Sequence, residues 1–347
     1  MKASLFQSLC LALGVLTSGT LHAETDAERY EAAKQEKSLV IYAGGPVAPN
    51  EKFAREFEKA YPGISVTVVG GFSNVLNEKI NSQIKAKKLE VDLAIFQTVQ
   101  DLVGWKKDGV LLNFKPDGYE QIIPALRDPD GAFTTTRVSL LTYGSNTNLI
   151  AGNARPKSAL DFLDPKYNGK LITCYPADDD ATLYVFYTIV QKYGWNYMDR
   201  YMANKPKFVQ GHLGVARGLA DGSSSATFDA TINVEDLRKA GQPVEMFVSE
   251  QDETPAFTLT AGIFKDAPHT NAAKLFLNWY MAPEQQRRTG SFSARTDVGP
   301  PEGFQPLSSY RLANNYRELV SNDALMTELR ARFEKYTGPV VNTGGVR

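Results

Sequence analysis

Hydrophobic positions along this chain switch repeatedly between the period of a strand and that of a helix. After a helical run from Ala27 to Lys37, Ser38-Leu-Val-Ile-Tyr42 reads as a short apolar strand. It stops at Gly44-Gly45-Pro46, a turn that no strand or helix interior tolerates. Phe53, Phe57 and Tyr61 then recur every fourth residue, which sets them on one helix face until Pro62-Gly63 ends it. Ile64, Val66 and Val68 alternate as a second strand ending at Gly70-Gly71. Ser73 is expected to cap a helix whose Leu76, Ile80 and Ile84 share a face. Val91 to Phe96 is a third strand, apolar except at Asp92; Gln97-Thr98 follow it, and Val99, Leu102 and Val103 open another helix closed by Gly109.

The second half continues the alternation. Thr136 to Tyr143 and Lys170 to Tyr175 read as strands, with a helix expected over Ser158 to Leu163. Asp178-Asp179-Asp180 precedes a helix carrying Leu183, Phe186, Tyr187 and Val190. One aspartate is expected to cap that helix while the others sit at the positive end of its dipole, direct contact of an aspartate with a ligand being the alternative reading. A further strand ends near Phe228-Asp229-Ala230-Thr231, Pro255 to Phe264 reads as a strand and Asn271 to Tyr280 as a helix. Strands alternating with helices argue for a parallel α/β sheet, whose ligands sit beyond the carboxyl ends of the strands. The three located strand ends of the first half are Gly44-Gly45-Pro46, Gly71-Phe72-Ser73 and Gln97-Thr98.

At 347 residues the chain is long enough for two domains. Lys and Arg number 38 against 39 Asp and Glu, so no basic excess exists to hold a phosphate backbone, and nucleic acid is not an expected partner. At the N-terminus, Lys2 is the only charge before Glu24, and Leu9 to Leu16 forms a short apolar core broken by Thr17-Ser18-Gly19-Thr20. That run falls well short of the roughly 20 residues a membrane span needs. It has the form of a secretory leader over residues 1–23, cleaved after Ala23, which implies a periplasmic or secreted location.

Cys10 would leave with that leader, so Cys174 has no partner for an internal disulfide. Its sequence neighbours Tyr175, Pro176 and the three aspartates supply no base, and it reads as a buried structural cysteine. Of the three histidines, His22 falls in the leader, His269 in a helix-start loop and His212 beside Gly211. No hydrolase, zinc-protease or phosphate-loop motif is present, and no cofactor or metal site is indicated.

Four segments carry a resemblance: Phe53-Ala-Arg-Glu-Phe-Glu-Lys-Ala-Tyr-Pro-Gly-Ile64, Trp105-Lys-Lys-Asp-Gly-Val-Leu-Leu112, Pro156-Lys-Ser-Ala-Leu-Asp-Phe-Leu-Asp-Pro-Lys-Tyr-Asn-Gly-Lys170 and Lys265-Asp-Ala-Pro-His-Thr-Asn-Ala-Ala-Lys-Leu-Phe-Leu-Asn-Trp279. In this order they resemble the extracellular solute-binding proteins of ATP-driven (ABC) importers, in the branch of ferric-ion, hexose-phosphate and phosphonate binders. The resemblance implies a type II, two-lobed periplasmic-binding-protein fold with two hinge crossings, closing on its ligand. Residues 24–137 and 245–305 would form the first lobe, 138–244 the second, and 306–347 C-terminal helices packing across both. The crossings would fall near Val138 to Tyr143 and between Phe228 and Val248. The chain would act as a monomer that captures a small polar or charged organic ligand for an ABC permease, without catalysis.

The expected ligand-binding residues are Gly44, Gly45, Ser73, Gln97 and Thr98 from the first lobe and Tyr143, Asp178, Asp179, Asp180, Phe228 and Asp229 from the second. Arg295 joins them because Ser293-Ala-Arg-Thr-Asp-Val298 resembles the family's late loop returning to the cleft, where it would offset the carboxylates. Ferric binders supply a tyrosine cluster near the second-lobe strand end, whereas here Ala226-Thr-Phe-Asp-Ala-Thr231 contains none. Iron therefore stands as the alternative ligand, reachable only if Tyr42, Tyr143 and Tyr175 converge. A secreted cysteine enzyme on the same fold is the alternative function.

Overall fold

Short apolar strands and one-faced helices pair here into one large sheet and two small ones. The structure, a computed structural model, describes residues 24–45, 47–150, 152–313 and 315–341. The expected leader, with Cys10 and His22, lies outside the described residues, as does Pro46. The first-half elements are α1 (Asp26–Glu36), β1 (Ser38–Gly44), α2 (Val47–Ala60), β2 (Ser65–Gly71), α3 (Ser73–Lys85), β3 (Leu93–Phe96), α4 (Val99–Lys107), β4 (Thr134–Leu140) and β5 (Thr142–Asn146). Then come β6 (Ile172–Cys174), α5 (Asp180–Tyr193), α6 (Asn196–Ala203), β7 (Lys207–Val209), α7 (His212–Ala220), β8 (Ala226–Ala230), α8 (Ile232–Lys239) and β9 (Val244–Phe247). The chain finishes with β10 (Thr254–Ile263), α9 (Thr270–Met281), α10 (Pro283–Arg288), β11 (Phe292–Ser293), β12 (Leu312–Ala313), α11 (Tyr316–Val320) and α12 (Asp323–Thr337).

The large sheet runs β11-β4-β10-β3-β1-β2, with β12 paired to β10. Its β2, β1 and β3 are parallel, as the alternation implies, but β10 is antiparallel to both β3 and β4. The sheet is therefore mixed, because β10 is the strand that brings the chain back from the second lobe. The smaller sheets are β8-β5-β9 and β6-β7, linked by a bridge between Leu171 and Ala226.

Two crossings join the sheets. The strand expected over 136–143 divides at Leu141: β4 belongs to the large sheet and β5 to a small one. The return between sheets lies between Phe247 and Thr254. On its near side β9 forms a ladder with β5 from Tyr143–Phe247 to Asn146–Val244. Two local details also differ from expectation. Phe72, not Ser73, holds the cap position of α3, and the helix expected over Ser158–Leu163 is a 3-10 helix over Ala159–Leu163 with a Ser158–Asp161 capping box.

Phe57 of α2 and Phe276 of α9 are buried edge to face, 5.2 Å between ring centres, on one side of the large sheet. Tyr42, Ile80, Phe96 and Trp105 fill the other side. Truncating such a ring to Ala costs about 3–5 kcal/mol through the cavity left behind. In the second lobe Phe162, Phe186, Tyr201 and Phe228 form an aromatic cluster that also receives Phe333 of α12. Tyr316 of α11 touches both Tyr184 of α5 and Phe257 of β10, so the C-terminal helices contact both sheets' helices and strands. No helix among the described residues is long and apolar enough to cross a membrane.

Candidate functional site

The carboxyl ends of β1 and β3 open onto a cleft of about 170 Å³ between the large sheet and the start of the second-lobe helices. Gly44, Gly45, Ser73 and Gln97 line it from the first side, together with Arg137 and Ser139 of β4. Asp179, His212, Thr231, Asn233 and Asp236 face them from the second. The volume is below the 300–1,000 Å³ usual for drug-sized ligands and suits a small solute.

Local sequence explains much of this wall. Gly45 has φ +97°, a conformation that side chains other than glycine's rarely adopt. A Cβ on Gly44 would run into Ser73 Oγ and force that hydroxyl to move, so glycine there lets β1 approach the start of α3 with Ser73 in place. Along β4 the period-2 pattern turns Arg137 and Ser139 to the cleft, while Val138 and Leu140 are buried. The N-termini of α3, α7 and α8 also reach the lining, bringing free N–H groups and the positive ends of their dipoles. Asp179 caps α5 by accepting the Thr182 N–H at 2.8 Å, as the aspartate run implied.

Two buried polar atoms of lining residues, Ser73 Oγ and Arg137 Nε, have no hydrogen-bond partner among the described residues, and a third, His212 Nε2, has only the ion-pair contact with Asp179 at 3.5 Å. Buried polar groups are nearly always satisfied, so two such atoms in one cleft mark a place where something else completes them.

His212 sits within a buried polar group. Its Nδ1 lies 3.6 Å from Cys174 Sγ and 3.5 Å from Asp229 Oδ1, while Nε2 lies 3.5 Å from Asp179 Oδ1. Burial opposes charge on the ring, but Asp179 and Asp229 outweigh it and raise the His212 pKa well above 6.5. Burial pushes the Cys174 thiol up to about 12 despite the nearby imidazole, so the sulfur is protonated at neutral pH. The two carboxylates are then the groups that hold the imidazolium. Burial acts to raise Asp179 as well, and His212 overrides it, leaving that carboxyl below its ordinary value; Asp229 is raised, burial being the larger effect. Cys174 thus has an imidazole beside it that its sequence neighbours did not reveal, but it is fully buried and not a thiolate.

Seven expected site residues are not in the lining. Thr98 hydrogen-bonds Asp101. Asp178 accepts from Gln210, and Asp180 accepts from Gln100 at 3.0 Å and pairs with Arg330. Phe228 is enclosed by aromatic rings, and Asp229 is fully buried, accepting from the Cys174 N–H and the Thr173 and Thr182 hydroxyls. Arg295 is spent on Asp297 and on the carbonyls of Asp117 and Met281. Tyr143 donates to Asp252 at 2.6 Å beside a separate hollow of about 530 Å³, whose Asp252 is already saturated by Tyr193, Lys192 and the Ala159 N–H. Tyr42 and Tyr175 do not converge with it: Tyr42 meets Gln83, and Tyr175 packs on Phe208.

The cation that faces the cleft is therefore Arg137, not Arg295. Its signal was a lone charge in the alternating Thr134-Thr-Thr-Arg-Val-Ser-Leu140 strand. His212 was missed because β7 and α7 were not recognised around Gly211.

The family described as bacterial extracellular solute-binding protein matches residues 44–287. The chain belongs to this family. No curated protein matches it by sequence. Solved structures similar to it include the periplasmic binding protein AfuA from Actinobacillus pleuropneumoniae with fructose-6-phosphate bound, at 19% identity and a TM-score of 0.73 over 86% of this chain and 98% of that one. Iron-bound HitA from Pseudomonas aeruginosa is similar at 16% identity and TM-score 0.70, covering 85% and 99%. The substrate-binding protein of an ABC transporter from Agrobacterium tumefaciens matches at 15% identity and TM-score 0.72, covering 86% and 94%. At these identities the solute-binding neighbours establish the type II two-lobed fold and nothing about the ligand.

Proposed function

We propose that this solute-binding protein captures a small organic solute bearing an anionic group between its lobes and delivers it to the permease of an ABC importer. The reading rests on the unpartnered Arg137 Nε and Ser73 Oγ in one cleft. A guanidinium and helix N-termini together favour a carboxylate or phosphate. Asp179 and Asp236 on the opposite wall suit hydroxyl or ammonium groups on the rest of the molecule. Both lobes contribute, as closure requires, since only differential contact shifts an open–closed equilibrium.

The protein would act as a monomer, without turnover, after export and cleavage at Ala23. N-terminal sequencing of exported protein should begin at Glu24, two residues before α1. The ferric alternative is weakened by a lining without tyrosine. A thermal-shift screen over phosphosugars, phosphonates, dicarboxylates, neutral sugars, amino acids and ferric ion tests the reading. A ligand at 100 times its Kd stabilises by about 2.7 kcal/mol. Anionic solutes should shift the transition; a response confined to neutral sugars or to iron sinks the proposal.

A further inference from the structure

We infer that Cys174, His212 and Asp229 form a binding site for a borderline transition-metal dication, zinc by preference, in the second-lobe wall behind the cleft. Cys174 ends β6, His212 opens α7 and Asp229 lies on β8, so three separate elements bring a thiol, an imidazole and a carboxylate together. Their donor atoms all lie within 4.8 Å of one another. Tetrahedral zinc, with sulfur at about 2.3 Å and nitrogen or oxygen at about 2.0–2.2 Å, places its ligand atoms roughly 3.3–3.6 Å apart. The sulfur lies 3.6 Å from His212 Nδ1, and Nδ1 lies 3.5 Å from the Asp229 carboxylate. Both are lengths of a tetrahedral edge.

The surroundings support the same use. Asp229 is oriented by the Thr173 and Thr182 hydroxyls and the Cys174 N–H. Asp179 stands 3.5 Å from the far ring nitrogen, where a carboxylate holds a ligating imidazole in place. Thiolate and imidazole donors select zinc over ferric ion or calcium. Cys174 and Asp229 are fully buried and His212 reaches the cleft, so an ion would staple the three elements and add positive charge beneath the ligand. Uptake releases the thiol proton, and the imidazolium proton where present, to solvent.

The test uses the full chain carrying Cys10→Ser, which leaves Cys174 as its one sulfhydryl. After chelator treatment it is titrated with cobalt(II), then with zinc. One equivalent of cobalt should give a thiolate-to-metal charge-transfer band in the near ultraviolet, which one equivalent of zinc removes. Zinc should also raise the thermal midpoint. Adding Cys174→Ser should abolish the band, and Asp229→Asn should weaken zinc uptake at least tenfold. A folded Cys10→Ser chain that shows no such band at saturating cobalt overturns the inference, and needs no further variant to fold. Unchanged stoichiometric zinc uptake in Cys174→Ser overturns it too.

Discussion

Gln100 of α4 donates a 3.0 Å hydrogen bond to Asp180 in the first turn of α5, tying a helix packed on the large sheet to one that packs on the smaller sheets' core. The other Asp180 oxygen pairs with Arg330 of α12. Asp180 therefore holds the molecule together rather than facing the cleft. Asp180→Ala is expected to lower stability by about 1–3 kcal/mol, as loss of a buried acceptor does. Urea unfolding should show an earlier midpoint with ligand affinity nearly unchanged. A tenfold affinity loss at unchanged stability would put Asp180 on the ligand instead.

Arg137 and Arg295 should separate cleanly. Arg137→Ala removes a cation with a buried, unbonded Nε, and is expected to weaken an anionic ligand by about 1.5–3 kcal/mol while leaving the midpoint in place. Arg295→Ala leaves Asp297 and two carbonyls without their donor and should cost on the order of 2 kcal/mol of stability instead. Calorimetry and thermal unfolding on the two variants check the contrast, and a reversed pattern contradicts it.

Gln97 and Asp179 lie on opposite walls of the cleft. Each change to Ala is expected to weaken ligand binding by about 1–3 kcal/mol. Asp179→Ala should also lose about 1 kcal/mol of stability through the α5 cap, and more because the buried His212 ring loses that carboxylate. If both variants bind the identified ligand like wild type, the cleft is misplaced.

Asp101 supplies a pH dependence. Burial raises its pKa from 3.8 to about 6, and Asp180 adds to the shift against the Thr98 and Asn77 hydrogen bonds. The folded chain holds a proton there that the unfolded chain has already released. This contribution is therefore fully present below pH 3.8 and is lost as pH rises through about 6. Asp101→Asn keeps an acceptor for Thr98 and carries no charge. It is expected to be more stable than wild type above pH 6, by on the order of 2 kcal/mol, with the gain vanishing towards pH 4. Parallel unfolding curves from pH 4 to 8 measure this, and a constant offset would show that Asp101 does not titrate in that range.

Local physics made many elements legible in the chain itself. The i, i+4 spacing of Phe53 and Phe57 and the stops at Pro62-Gly63 and Gly109 are short-range steric effects, and they mark α2 and α4 closely. Strand ends followed by helix starts likewise pointed to Gly44, Gly45, Ser73 and Gln97, which do meet in the cleft. What no local pattern carries is which strand end faces which. His212 is 38 residues from Cys174, and the pair forms because β6 and β7 lie side by side in one small sheet. Arg137 faces the cleft because β4 pairs with β10, a strand more than a hundred residues away that runs against the parallel part of the sheet. Arg295, within the loop expected to return to the cleft, bonds Asp297 and two carbonyls instead. Element type followed from nearest-neighbour sterics and periodic burial, whereas the partners of each buried charge followed from strand pairing, which only the folded chain decides.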